Sequence, residues 1–396
     1  MEYSNLLSER VKSLKASAIR EIFKMLGKSN IISFAGGIPS PELFPAKELG
    51  KIADGILEKN GAKALIYGIT EGYAPLIEIV EKRNSQKNVG KDFDQTIITT
   101  GAQQAIDLVG KALLNEGDGV IVEAPSFIGA LNSFRSYNAR LFEAEVKEDG
   151  IDLEQVENIL KTEKNIKFIY TITTFQNPTG ITLSLEKRKK LLEIAKKYNC
   201  LILEDNPYGE LRFRGEDVAA IKSFDDEGRV MYVGSFSKTL SPGMRVGFLT
   251  CHKDIMDRVV VVKQVNDVHT PLLNQMMVTE YINNYDFDEH IKISAEKCGE
   301  KCAAMLGGAK KYFPESVSLT NPDGGIFLWC TMPEGIDTGK IFEKAVEKGV
   351  AFVPGRTCMA DIDKVSNCFR LNYTTVSNEK IDEGMKILGD ILKEYV

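Results

Sequence analysis

The stretch GSFSKTLSPGMRVGF, from Gly234 to Phe248, holds three serines, one lysine and one arginine, and no acid. It follows RVMYV, an apolar run of strand type. Hydroxyls and a guanidinium fork without a competing carboxylate suit an anion. A phosphate fits better than a carboxylate because it offers more oxygens. Lys238 sits inside this cluster. Taken alone it reads as a solvated surface lysine. In a desolvated pocket beside other cations it would lose its proton more readily and become a nucleophile. A nucleophilic lysine beside a phosphate site points to a phosphorylated aldehyde held as a Schiff base. That is the arrangement pyridoxal 5′-phosphate requires.

This chemistry makes demands elsewhere in the chain. A carboxylate must keep the pyridine nitrogen protonated, and LILEDNPYGE supplies Asp205 at the end of an apolar run. Tyr208, three residues on, is suited to donate to the ring's phenolic oxygen. Asn177, in TFQNPTG after the apolar run KFIYTIT, is suited to the same oxygen. Phe127, in APSF, offers an aromatic face for the ring. TTGAQQA places a glycine before a helical pattern, so the amides of Ala102 and Gln103 would point at an anion with the helix dipole behind them. Each motif also has a plainer reading: NPTG as an ordinary turn, Asp205 as a helix cap, Phe127 as core. Their joint placement, each just past an expected strand, favours the functional one.

The elements that must carry these residues are legible as an alternation. From about residue 96 to 250, the runs TIITT, GVIVEAP, KFIYTIT, LILED, RVMYVGS and VGFLT are separated by amphipathic helical patterns. Strands with few charges between such helices imply a mostly parallel sheet covered on both faces, with ligands at the strands' carboxyl ends. After about residue 285 the pattern changes to a long helix, short strands near AFVPG and CFRLNYT, and helices near 338–348 and 378–394. That predicts a smaller α+β domain. The expected division is 1–45 for an N-terminal helix and substrate loop packing with the small domain, 46–285 for the large domain, and 286–396 for the small one.

Composition narrows the class. The chain has 396 residues, 43% of them hydrophobic, and a formal charge of −6. That argues against nucleic acid or a membrane surface as partner. No apolar run reaches the length of a membrane span, and the polar N-terminus MEYSNLLSERVKSLK has no secretory pattern, so a cytoplasmic location is expected. Seven cysteines and three histidines show no zinc spacing. Cys298 and Cys302, four apart, read as reduced thiols on one helix. GIDTGKI, Gly335 to Ile341, fails as a phosphate loop on its spacing and reads as a helix start.

SFSKTLSPGMRVGF, EDNPYGEL and FQNPTG resemble the signature motifs of the fold-type I, pyridoxal-phosphate-dependent aminotransferases of class I/II. The resemblance covers nearly the whole chain in the expected order. ISFAGGIPSPELFP, YGITEGYAPL and HTPLLNQMM resemble the subgroup containing 2-aminoadipate and kynurenine aminotransferases. It implies an α/β fold with a large domain around a mostly parallel seven-stranded sheet and a smaller α+β domain. It implies that Lys238 bonds the cofactor, Asp205 pairs with the ring nitrogen, Tyr208 and Asn177 bond the phenolic oxygen, and Phe127 stacks on the ring. Ser235, Ser237, Arg245 and the amides of Ala102 and Gln103 would hold the phosphate, with Tyr67 reaching it from a partner subunit. A homodimer with shared active sites follows. Arg370 and Asn177 would take the substrate α-carboxylate, and Gly37 would lend a backbone contact. Arg20 would meet the distal carboxylate of an acidic donor. Phe127 stands where many relatives have tyrosine, which keeps the stacking and loses a hydroxyl. The expected activity is ping-pong transfer of an amino group from an L-amino acid of 2-aminoadipate, aromatic, branched-chain or glutamate type to a 2-oxo acid such as 2-oxoglutarate. A β-lyase or decarboxylase on the same scaffold is the alternative. A non-enzymatic effector domain is a further one, disfavoured because only about 30 residues precede IISFAGG, too few for a DNA-binding module and linker.

Overall fold

Apolar side chains alternate between two faces along the central strands, and each face has its own helical cover. On the strand Gly119–Ala124 (β3), Val120 and Val122 pack with Ile106, Val109 and Leu131 of the helices Ala102–Leu113 and Ile128–Arg135. Ile121 between them packs the other way, with Val156 and Leu191 of the helices Leu153–Thr162 and Leu185–Lys197. A strand buried on both faces has no polar side, which is why these runs carry few charges, and Glu123 and Glu204 inside them are buried with hydrogen-bond donors such as Thr171 and Thr173. The computed structural model describes residues 3–12 and 31–396.

The large sheet is built from β2 (Asp94–Thr99), β3, β4 (Arg140–Lys147), β5 (Gly150–Ile151), β6 (Ile166–Ile172), β7 (Leu201–Asp205), β8 (Val230–Ser235) and β9 (Gly247–His252). Their spatial order is β2-β9-β8-β7-β6-β3-β4-β5. Strands β8, β7, β6, β3 and β4 run parallel. Seven strands form the expected body, and the two-residue β5 adds an eighth at one edge by a hairpin from β4. Strand β9 is antiparallel to both β8 and β2. Its amino end therefore lies at the edge of the sheet where the parallel strands and β2 have their carboxyl ends. Every polar motif of the large domain opens onto that one edge.

The C-terminal part has a four-stranded antiparallel sheet of β10 (Ser318–Leu319), β11 (Phe327–Thr331), β14 (Cys368–Asn372) and β13 (Val353–Pro354). The helices Phe287–Tyr312 and Asn378–Leu392 pack beside it. Residues 31–45 pack with this part. Strand β1 (Ile32–Ser33) pairs in parallel with β12 (Val350–Ala351). Ser40 donates to the carbonyl of Thr374, and the buried Lys301 pairs with Glu42 at 2.7 Å. Cys298 and Cys302 lie buried on the 287–312 helix as free thiols. Thr338–Glu347 is a helix capped by Asp337, as GIDTGKI predicts. No described helix is long and apolar enough to cross a membrane.

Candidate active site

The carboxyl edge of the sheet and the small domain enclose a cleft of about 280 Å³. Lys238, Asp205, Tyr208, Asn177 and Phe127 all line it, as do Ala102, Gln103, Ser235, Ser237, Arg245, Gly37 and Arg370. Residues spread over 334 positions of the chain thus meet at one place, those of the large sheet delivered from beyond its strand ends and Arg370 from the middle of β14. Two expected residues are elsewhere. Tyr67 is 84% exposed and rests edge-on against His269. Arg20 lies outside the described residues.

Asp205 ends β7 with its carboxylate buried. Oδ2 accepts the hydroxyl of Tyr170 at 2.8 Å, whereas Oδ1 has no partner. Burial raises its pKa to about 7, against the lowering pull of Tyr170 and Lys238. A buried carboxylate oxygen left unbonded costs roughly 1–3 kcal/mol or more. A cationic N–H donor arriving from the cleft would remove that cost. Tyr170 is a residue the sequence reading missed. It sits inside an apolar run, and only the register reveals it: Asp205 pairs with Ile172, which places Tyr170 diagonally opposite on the same face.

Lys238 follows β8 and donates from Nζ to the carbonyl of Gly37 at 2.5 Å. Burial first, and then the nearby guanidinium groups of Arg245 and Arg370, lower its pKa to about 8 against the opposing pull of Asp205. Tyr208 is buried, and Asn177 Nδ2 donates to its hydroxyl at 3.4 Å. The turn carrying Asn177 is anchored by Gln176, which donates to Glu123 at 3.0 Å and to the carbonyl of Pro125 at 2.8 Å.

The anion cup lies at the other end of the cleft. Helix Ala102–Leu113 has Gly101 as its N-cap and no side-chain cap, so the first amides are free for an outside acceptor. Gly101 has φ +77°, and a Cβ there would stand 2.4 Å from Arg245 Nη2. Gly247 starts β9 opposite both Thr99 and Ser235, where a Cβ would stand 2.8 Å from the amide nitrogen of Ala102. The two glycines let helix, strand and guanidinium converge. Arg245 itself has φ +51°, a costly conformation for a side-chain-bearing residue, retained where it aims Nη2 at the carbonyl of Thr100 at 3.0 Å. Nη1 reaches Ser237 Oγ at 3.4 Å.

Arg370, on β14, is 4% exposed. Nη1 donates to Asn177 Oδ1 and Nη2 to the carbonyl of Ala35, both at 2.8 Å, and Nε has no partner. Its guanidinium lies 4.1 Å from the centre of the Phe327 ring, which also meets Tyr208 edge-on. Phe327 is the second residue the sequence reading missed. GGIFLW gives no sign that its aromatic faces a cation 43 residues further on.

The groups present fit pyridoxal 5′-phosphate. The orphan oxygen of Asp205 suits a protonated ring nitrogen, the free amides and Arg245 suit a phosphate, and the weakly basic Lys238 suits an aldehyde. Comparison with known proteins agrees. The family model described as aminotransferase class I and II matches residues 34–388. The aromatic-amino-acid aminotransferase 1 of Thermococcus litoralis is 41% identical, over 100% of this chain and 95% of that one. The crystal structure of a kynurenine aminotransferase from Pyrococcus horikoshii, in complex with PMP, superposes with a TM-score of 0.95 at 39% identity, over 100% and 98% of the two chains. That of the α-aminoadipate aminotransferase LysN from Thermus thermophilus, complexed with N-(5′-phosphopyridoxyl)-L-leucine, gives 0.92 at 39% identity, over 100% and 99%.

Proposed function

The chain belongs to the aminotransferases of class I and II and catalyses transamination with pyridoxal 5′-phosphate; from that premise we propose which residues carry the reaction and which donors it takes. When bound, the cofactor supplies an aldehyde that captures the amino group and a ring that accepts the electrons left when the substrate Cα loses its proton. Asp205 holds the ring nitrogen protonated through Oδ1. Tyr208 and Asn177 orient the phenolic oxygen, and Phe127 covers one ring face. Ser235, Ser237, Arg245 and the amides of Ala102 and Gln103 hold the phosphate. Lys238 would hold the aldehyde, and its amine would take the proton from the substrate Cα, with Arg370 binding the α-carboxylate to direct the Cα–H bond toward Nζ. Gly37 would lend the substrate a backbone contact. The observation that supports this reading most is the unpartnered Asp205 Oδ1, buried in the same cleft as an amine of depressed basicity.

The donors are L-amino acids of acidic, aromatic or branched-chain type, and the acceptor is a 2-oxo acid such as 2-oxoglutarate. Arg20 is the proposed contact for a distal carboxylate. The cofactor-loaded protein mixed with one donor and no acceptor should release one 2-oxo acid per site and then stop. Release of ammonia or CO₂ instead would place the protein among the lyases or decarboxylases. Ranking donors by the rate of this single turnover identifies the preferred class. Arg370→Gln should lower kcat/KM roughly 30–5,000-fold, chiefly through KM, as expected when one partner of a buried charge pair is removed. An unchanged KM would place the carboxylate elsewhere.

The division into 1–45, 46–285 and 286–396 is retained as a proposal, supported by the pairing of β1 with β12. A homodimer is proposed as well. Leu65, Ile66, Tyr67 and Ile69 are 62–84% exposed, and Val265 is 77% exposed. Apolar surface of this kind marks an interface. Tyr67 would reach the partner subunit's phosphate from there. Light scattering should give twice the 44.0 kDa chain mass. A monomer at micromolar concentration would refute the shared site. A cytoplasmic location is proposed because all seven cysteines are unpaired.

A further inference from the structure

Lys263 is a fully buried lysine that none of these roles uses. It lies one turn before the end of helix Lys253–Asp267, and all three of its N–H donors are taken. Nζ reaches Asp267 Oδ1 at 2.8 Å, Gln104 Oε1 at 3.1 Å and Thr270 Oγ1 at 3.2 Å. Those acceptors converge on Thr100, the residue before Gly101. Gln104 Oε1 also accepts the amide of Thr100 at 2.7 Å, and Asp267 Oδ2 accepts its hydroxyl at 3.0 Å. Gln104 Nε2 closes the ring onto Asp267 Oδ2 at 2.6 Å. On the far side, the carbonyl of Thr100 accepts Arg245 Nη2. The peptide that leads into the anion cup is thus held from both ends.

Such restraint has a physical reason. Gly101 imposes little of its own, since glycine tolerates a wide range of φ. The direction of the Ala102 and Gln103 amides therefore depends on what fixes Thr100. The backbone also bends to complete the network. Val268 has φ +64° and ψ −59°, strained for a β-branched residue, with the amide of His269 on the carbonyl of Asp267 at 2.7 Å. That turn brings Thr270 back onto Lys263 and Thr100, where the two threonine hydroxyls lie 3.1 Å apart. A buried ion pair contributes little net stability compared with apolar packing, and its best-attested use is to specify one arrangement. Lysine and aspartate also cancel in charge, so the pair acts by placement more than by attracting the anion.

We propose that Lys263 and Asp267 are positioning residues that lock the Thr100–Gly101 turn in the geometry that grips the cofactor's phosphate. The inference rests on the pyridoxal 5′-phosphate reading above. The test compares pyridoxal 5′-phosphate with pyridoxal, which has the aldehyde and ring but no phosphate. Lys263→Met removes the ammonium and keeps the bulk. It should weaken pyridoxal 5′-phosphate binding by roughly 5–100-fold, the loss expected from breaking buried hydrogen bonds, and leave pyridoxal binding unchanged. Thr100→Val keeps the shape, removes only the hydroxyl, and should shift the same comparison in the same direction by less. It carries the test if Lys263→Met does not fold. Equal weakening of both ligands, or of neither, overturns the proposal. Failure of the unmodified protein to bind pyridoxal 5′-phosphate would instead overturn the cofactor reading.

Discussion

Lys238→Ala is expected to lower turnover by at least about 10⁴-fold, because it removes both the covalent anchor and the base, and a positioned base alone contributes 10²–10⁴-fold. Borohydride treatment should fix the cofactor to the unmodified protein and leave it dialysable from the variant. Turnover within tenfold of the unmodified protein would move the base to another residue. The same amine has a pH signature. Its pKa, lowered to about 8 by burial and by Arg245 and Arg370, predicts how fast cofactor-free protein reacts with the aldehyde. The rate should track the unprotonated fraction, rising about tenfold per pH unit below pH 8 and levelling above it. A rise that continued to the ordinary lysine range would show that the amine is not desolvated.

Asp205→Asn has the next largest expected effect. The amide keeps the shape and the bond to Tyr170 but removes the negative charge from beside the ring nitrogen. Proton removal from the substrate Cα should slow about 10²–10³-fold or more, the scale found when one preorganised electrostatic group is lost in a dry site. Cofactor attachment at Lys238 should persist, which separates this variant from Lys238→Ala. An unchanged proton-removal rate would take Asp205 out of the mechanism. Without cofactor the carboxyl has a second measurable consequence. Its folded pKa is about 7 and its ordinary value 3.8, so between those limits the folded chain binds a proton that the unfolded chain does not. Stability must then fall as pH rises from about 4 to 7. The cofactor-free protein should lose melting temperature across that window relative to Asp205→Asn. Parallel pH profiles would show that the carboxyl has its ordinary proton affinity.

The parts of this site legible in the sequence are those that sit where strands stop. Asp205, Asn177, Phe127 and Lys238 each follow a predominantly apolar run, and a run that ends in polar residues announces a sheet edge. The strand β4, RLFEAEVK, was not legible. It lies near the sheet margin, only one of its residues is buried, and its charges break the apolar pattern that identified its neighbours. The two-residue strands β5 and β10 are too short to have a pattern. Tyr170 and Phe327 escaped for a different reason. Each looks like core, and its partner, Asp205 or Arg370, becomes visible only once strand register and domain packing are known. The network behind the anion cup escaped similarly. HTPLLNQMM marked a resemblance, but the lysine six residues before it acquires meaning only from its contact with Gln104, 159 positions away.

The bond from Arg370 to the carbonyl of Ala35 spans 335 residues, and β1 waits for Val350 and Ala351. A ribosome that has released the chain only as far as residue 349 has delivered every strand of the large sheet. It has delivered neither the guanidinium for the α-carboxylate nor the partner of the 32–33 strand. During synthesis, therefore, the half of the pocket that would hold the vitamin-derived group can assemble before the half that would select an amino acid. Long-range contacts of this kind form late.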